Sequence, residues 1–278
     1  MDELWLTKIE LNPKSRAVWR DLGNAQELHK TISGAFDVID NEPGLEEHEK
    51  LKPRCKNRLL HRVEIERRGE TASLLLQSIC EPKWSHLPDG YALSIETKSV
   101  SDVYQRVAAG TELRFRLHAN PTKRVSNSDG RADARFKQTQ APGEYKRLHG
   151  KNETRRRVEI MGDDKKSREE KLIEWLARKG AGDELKKIPP GGFRLVDVSV
   201  RDRQAIPNVA ASFSGGQKFK KHRGDEHRVS LDGVTFDGVL EVTDADKFRE
   251  ALRNGIGSGK AYGFGLMSVA RAVGGTAA

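Results

Sequence analysis

Of the side chains that exchange protons near neutral pH, the sequence offers eight histidines, at positions 29, 48, 61, 86, 118, 149, 222 and 227. His29, in "ELHKT", has the most suggestive setting. Asn24, with Glu27 three residues on, marks a helix start. Ala25, Leu28, Ile32, Ala35 and Phe36 then form an apolar stripe. His29 sits about 100° round the helix from Leu28, at the edge of that stripe. A half-exposed imidazole there can serve as a general acid or base. By spacing alone, a histidine at such a border is more often plain packing or surface than catalytic. Ser33, one turn on, could hydrogen-bond such a site or simply face solvent. His222 and His227, in "KHRGDEHR", lack cysteine partners and are flanked by cations, so no metal ligands are expected there.

"GIGSGKAYGFGLMSVA", Gly255–Ala270, is the second chemical candidate. A dinucleotide fingerprint needs a strand before the glycines and a helix after them, whereas here a helix pattern precedes them. A Walker loop needs glycine where Asn254 stands and a hydroxyl where Ala261 stands. "KAYGFGLM" superficially resembles the base-stacking strand of an RNA-recognition motif, but too little chain follows to complete one. Two readings remain open. The stretch is a glycine turn letting a helix pack closely on the next strand, or its N–H groups at Gly257 and Gly259, with Lys260, approach a phosphate chain.

Cations outnumber anions, 50 Lys and Arg against 41 Asp and Glu, for a net charge of +9 and an isoelectric point near 9.5. This balance suits a polyanionic partner. "KFKKHR" concentrates it at the tip of a predicted hairpin, where Lys218, Lys220, Lys221, Arg223 and Arg228 share one finger; a solvated tip is the plain alternative. Lys123, Arg124 and Arg155–Arg157 are weaker candidates. With Cys55 and Cys80 the only cysteines, a disulfide framework is excluded. No apolar run reaches the roughly 18 residues of a membrane span, and the acidic, alternating N-terminus does not read as a signal peptide. A cytoplasmic protein is expected, with neither membrane nor small-molecule cofactor.

These groups need a scaffold. Leu4–Leu11 alternates as a half-buried strand. Leu59–Arg67 and Thr71–Ile79, parted by "RRGE", form a hairpin. Asp102–Ala109 is a weak helix, and "GTELRFRLHANP" is the next strand. That order matches a ferredoxin-like βαββαβ unit. From Thr122 to about Asn152 the pattern vanishes into a basic linker. Beyond it "SREEKLIEWLARKG" is an amphipathic helix, capped by Ser167 and Glu170 and closed by Gly180. "GGFRLVDVSV", two long strands around the charged tip, a helix over Asp244–Asn254 and a strand over Gly263–Val269 complete a second unit. The expected fold is α+β: a first domain over 1–121, a linker over 122–152 and a second domain over 153–278.

The terminal glycine stretch after a helix resembles the glycine-rich loop of the CRISPR repeat-associated RNA-binding superfamily. "LWLTKIELNPKSRAVWRDLGNAQELHKTIS" and "LRFRLHANPTKR" narrow the resemblance to CasE-type endoribonucleases of type I-E systems. It runs from Leu4 to Val269, weakest over 122–152. The resemblance implies two tandem ferredoxin-like (RRM-like) domains and metal-independent cleavage of precursor CRISPR RNA at the base of a repeat stem-loop. The ribose 2′-OH attacks the adjacent phosphate and leaves a 2′,3′-cyclic phosphate or its derivative. It further implies His29 as the catalytic imidazole, Lys30 as a basic neighbour, a hairpin against the RNA stem, and the other Cascade subunits as partners. A tyrosine that some relatives carry three residues before the histidine is Gln26 here; a basic position five residues after it is Gly34. Several superfamily members bind RNA without cutting it, which leaves a silent RNA-binding subunit as the alternative.

Overall fold

The computed structural model describes residues 3–36, 58–65, 71–126, 155–202, 217–220, 226–229, 231 and 233–272. Alternation in β1 (Trp5–Leu11) buries Thr7, Ile9 and Leu11 and leaves Lys8 and Glu10 in solvent. Two helices follow, α1 (Arg16–Gly23) and α2 (Ala25–Ser33). Asn24 ends one and caps the other, its side chain accepting from the Gln26 N–H. Strands β2 (Leu60–Ile65), β3 (Ala72–Ser78) and β4 (Ala92–Ser99) complete an antiparallel sheet in the order β2-β3-β1-β4. Ile9 lies opposite Leu74 on one side and Ile95 on the other. Leu28, Ile32, Val18 and Leu22 from the helices pack on that face with Ile9, Leu11, Leu74, Leu76 and Tyr91.

The short helix α3 (Ser101–Gln105) leads out of this sheet. Strand β5 (Glu112–Ala119) then opens a second antiparallel sheet with β8 (Phe193–Asp202), β11 (Val234–Val242) and β12 (Met267–Arg271), ordered β12-β5-β11-β8. Helix α4 (Arg168–Ala181) precedes β8, and α5 (Ala245–Asn254) precedes β12. Chain order β5-α4-β8-β11-α5-β12 is therefore a complete βαββαβ unit. Its core joins Phe115 and Leu117 of β5 to Trp175, Leu176, Phe236, Leu240, Phe248 and Leu252.

Both sheets have the ferredoxin-like order, as expected, but the division of the chain differs. "LRFRLH" was expected to finish the first unit within 1–121. It starts the second instead, because Leu113, Phe115 and Leu117 are buried against α4 and α5 rather than against α1 and α2. The first sheet is finished by β4, which the pattern did not reveal, and α3 lies after that strand rather than before the last one. The change of unit falls between Ser99 and Glu112, not at 121 or 153. Thr122–Ser126, expected to begin a patternless linker, forms β6, paired with β7 (Arg155–Glu159). The remainder of the expected linker, 127–152, lies outside the described residues.

Ser167 and Glu170 form the expected capping box of α4. That helix runs on through Gly180 to Ala181, with Gly182 as its C-cap. Gly180 serves packing instead: a Cβ there would stand 2.1 Å from the Phe193 carbonyl oxygen. A hairpin is present where two long strands were expected, but its strands β9 (Gln217–Lys220) and β10 (Glu226–Val229) have only four residues each, and Val234–Val242 is a separate strand, β11, of the second sheet.

Candidate active site at the junction of the two sheets

Helix α2 is braced at several points, and His29 lies on it half-buried. Its buried neighbours Ala25, Leu28 and Ile32 are at most 2% exposed, which fixes the helix's rotation on the sheet. Asp21, fully buried, accepts from Thr31 Oγ1 at 2.6 Å, Tyr91 OH at 2.9 Å and Arg20 Nε at 2.9 Å. This ties α2 to α1 and to the start of β4. Burial, reinforced by the Asp21 carboxylate, pushes the Tyr91 phenol well above its ordinary range, so it remains a donor.

Residues 79–91, which link β3 to β4, brace the far end of α2. The Lys83 N–H donates to Ala35 O at 2.7 Å, and His86 sets Nε2 2.9 Å from Thr31 O and Nδ1 3.3 Å from Lys83 O. The His86 ring occupies the space beside Gly34. A Cβ at Gly34 would meet it at 2.9 Å, so no side chain is accommodated at this C-cap without moving that ring.

The glycine stretch reaches the same place from the second unit. Gly255, Gly257, Gly259, Gly263 and Gly265 all have positive φ, between 72° and 92°. At Gly255 a Cβ would strike Leu60 of β2 at 2.7 Å, and at Gly259 it would strike Phe264 at 2.9 Å. Ile256 N–H donates to Gly265 O at 2.9 Å and Gly265 N–H to His118 O at 2.8 Å, closing the stretch into a loop on β5. A 3-10 turn, Lys260–Tyr262, projects from this loop and packs against both α2 and β2. The helix that carries His29 and the turn that carries Lys260 thus face each other across the junction.

Buried rings and one buried cation support the loop. His118 stacks on Phe264 with centroids 4.8 Å apart, and its Nδ1 lies 3.0 Å from Thr235 Oγ1. Burial, with the nearby Arg62 charge, depresses the His118 imidazole to about 4, so it is neutral at physiological pH. His61, 2% exposed, lies under Gly263. Arg62, 4% exposed, spans from β2 to the second sheet. Sequence reasoning missed His61, Arg62 and His118 as neighbours of the loop, and His86 as a brace of α2. Each sits in an ordinary alternating strand or a connecting segment, and strand pattern carries no record of which surface meets the other unit.

The remaining candidates are dispersed. Lys30 is exposed on α2 and pairs with Glu27 at 2.7 Å. Gly257 fits against the Trp175 ring, and Gly259 against Phe264. Close packing, one of the two readings left open for the stretch, is therefore realised. Lys123 is exposed on β6, where Arg124 follows it. Lys218 and Lys220 hold alternate positions of β9 rather than a tip, and Arg228 of β10 is paired with Lys218. Lys221 and Arg223 lie outside the described residues. Among the described residues no helix is long and apolar enough to cross a membrane, and no group of three His, Cys, Asp or Glu side chains is gathered to hold a metal ion.

The junction thus offers an imidazole for proton transfer, a cationic turn and a dense backbone, which together suit chemistry on a phosphodiester. The chain is 33% identical over 267 residues, 96% of its length and 100% of the relative's, to the CRISPR-associated endoribonuclease Cse3 of Thermus thermophilus. It is 29% identical over 267 residues, 96% of its length and 99% of the relative's, to the CRISPR system Cascade subunit CasE of Escherichia coli. Its fold matches Thermus thermophilus Cse3 bound to an RNA representing a pre-cleavage complex, with TM-score 0.61, 30% identity, and coverage of 96% of this chain and 99% of that one. Residues 4–271 match the model of the family described as CRISPR associated protein, and the chain belongs to that family.

Proposed function

We propose that this protein is a site-specific endoribonuclease that cleaves precursor CRISPR RNA at the base of the repeat stem-loop. We further propose that it then stays on the product as a Cascade subunit in the cytoplasm. The observation that carries this reading is the packing of the Lys260–Tyr262 turn against the helix of His29. The names of its relatives, an endoribonuclease and a Cascade subunit, support the substrate and the partners.

In this reading the His29 imidazole assists the proton transfers of a transesterification. The ribose 2′-OH loses its proton and attacks the adjacent phosphorus. The P–O5′ bond breaks, and the 5′-oxygen takes up a proton. The products are a 2′,3′-cyclic phosphate and a free 5′-OH. Lys260, with the backbone N–H groups of Gly257 and Gly259, steadies the charge on the phosphorane. Lys30 lies one residue from the imidazole. Lys218, Lys220, Lys221, Arg223 and Arg228 on the hairpin, with Lys123 and Arg124 on β6, hold stem phosphates.

Side chains alone carry the protons in this scheme, so divalent metal is dispensable. Repeat RNA incubated with the protein in excess EDTA is expected to be cut, leaving no free 3′-OH on the upstream fragment. Complete inhibition by EDTA, reversed by Mg²⁺, would overturn the mechanism. Full binding without any cut would leave the protein a silent RNA-binding subunit. The departures at Gln26, exposed on α2, and at Gly34, closed off by His86, make that outcome worth distinguishing.

A further inference from the structure

Two units that share one site need a device that sets the distance between their contributions. We infer that Arg62 is that device, a positioning residue holding the glycine-rich loop at working distance from the His29 helix. This rests on the reading that α2 carries the reacting imidazole.

Arg62 lies on β2, the edge strand of the first sheet, and its guanidinium reaches from there to the second sheet. Nη1 donates to Arg116 O of β5 and to Leu266 O, each at 3.1 Å. Nη2 donates to Ser268 Oγ of β12 at 2.8 Å. Nε and Nη2 both donate to Glu64 Oε1, at 3.0 and 2.7 Å. A planar guanidinium has five N–H donors in a fixed fork, so these partners specify its position rather than merely neutralise it. Burial lowers its affinity for its proton and the Glu64 carboxylate opposes that, so the buried cation requires this particular set of acceptors.

What the fork grips matters more than its burial. Leu266 immediately follows Gly265, the residue whose N–H and carbonyl close the glycine-rich loop onto His118 and Ile256. Arg62 therefore pins the exit of the loop to the strand on which the Lys260–Tyr262 turn also packs. Glu64 adds a link at the same place, pairing with Arg116 Nη1 at 3.6 Å, whereas two further links grip elsewhere: Gln77 Nε2 donates to Leu252 O at 2.9 Å and Arg58 to Asn254, both at the end of α5. Releasing Arg62 frees the loop's exit while those links still hold the units together.

The test is a split between cutting and binding. With saturating repeat stem-loop RNA, Arg62→Met is expected to lower the single-turnover cleavage rate about tenfold or more, because small misplacements of catalytic groups are costly. Its RNA affinity should stay within about threefold, since affinity rests on many phosphate contacts. Arg62→Lys, which keeps the charge but not the fork, should recover part of the rate, and Ser268→Ala should lose less in the same direction. Amide exchange at Gly265 and Ile256 should quicken in Arg62→Met while that of β1 and β3 stays unchanged. In a His29→Ala background, Arg62→Met should cost nothing further, because it acts through the same site.

Unchanged cleavage in Arg62→Met, or cleavage and binding falling together, overturns the inference. If Arg62→Met does not fold, Ser268→Ala and Glu64→Gln decide: unchanged cleavage and unchanged loop exchange in both overturn it. Should His29→Ala itself cut like wild type, the reading of α2 falls, whereas the exchange at Gly265 still reports whether Arg62 holds the loop.

Discussion

The first and second sheets have the same strand order, yet they are finished differently, and the site uses the difference. In the second unit both crossovers are helical, and α4 and α5 seal a core rich in aromatic rings, with Trp175 stacked on Phe236 at 6.0 Å and Phe193 meeting Phe248 edge to face. In the first unit the connection from β3 to β4 has no helix. Residues 79–91 run instead to the end of α2 and brace it through Lys83 and His86. One unit is therefore a closed platform from which the glycine-rich loop projects. The other presents a helix held at both ends with its histidine-bearing edge half open. Rigidity on one side and access on the other are what a site holding a phosphate against an imidazole requires.

Removing the buried anchor of the open unit should produce the largest loss of stability. Asp21→Ala orphans the buried hydroxyl of Tyr91 and the half-buried one of Thr31, a cost of about 3 kcal/mol, and should lower the melting temperature markedly. Cleavage should fall further than the folded fraction does, because α2 loses its register. A melting temperature like that of wild type would show that the network does not hold the helix.

The closed unit should respond to acid. Folding keeps His118 neutral, with its affinity for a proton depressed to about 4 from an ordinary 6.5. Its contribution to stability is then complete above pH 6.5 and is lost progressively as the pH falls towards 4. His118→Gln should flatten the melting temperature's decline between pH 7 and pH 4. Identical pH curves for variant and wild type would contradict this.

The smallest effect is expected at the β9–β10 hairpin. Changing Lys218 and Lys220 to alanine should leave stability within about 0.5 kcal/mol. It should lower the salt slope of log K for repeat RNA by roughly 0.7–0.9 for each phosphate that a lysine no longer neutralises. An unchanged slope would return the β9–β10 hairpin to a solvated turn.

The pattern of side chains disclosed elements better than partners. Alternation identified β5 as a strand, and the capping residues Asn24 and Ser167 identified the starts of α2 and α4. Which sheet β5 joins is decided by packing against α4 and α5, residues more than fifty positions away, and local periodicity holds no trace of it. Strand β4 escaped notice although Leu93 and Ile95 alternate with Ser94 and Glu96: the run is short, and it lies at a sheet edge with those two side chains 61% and 39% exposed. Helix α1 is eight residues long, with Val18, Asp21 and Leu22 as its buried positions, one of them a carboxylate. At the site, the edge position of His29 was readable on a helical wheel. The packing of the Lys260–Tyr262 turn against α2, and the buried Arg62 between the units, are products of tertiary packing alone.

The central claim is that proton transfer by His29 drives the cut while other groups hold the RNA. Single-turnover cleavage of the repeat stem-loop by His29→Ala, measured beside its RNA affinity, tests this most directly. The account predicts a rate lower by about 10²–10⁴, with affinity within about threefold of wild type. A cleavage rate within about threefold of wild type would contradict it and remove His29 from the reaction.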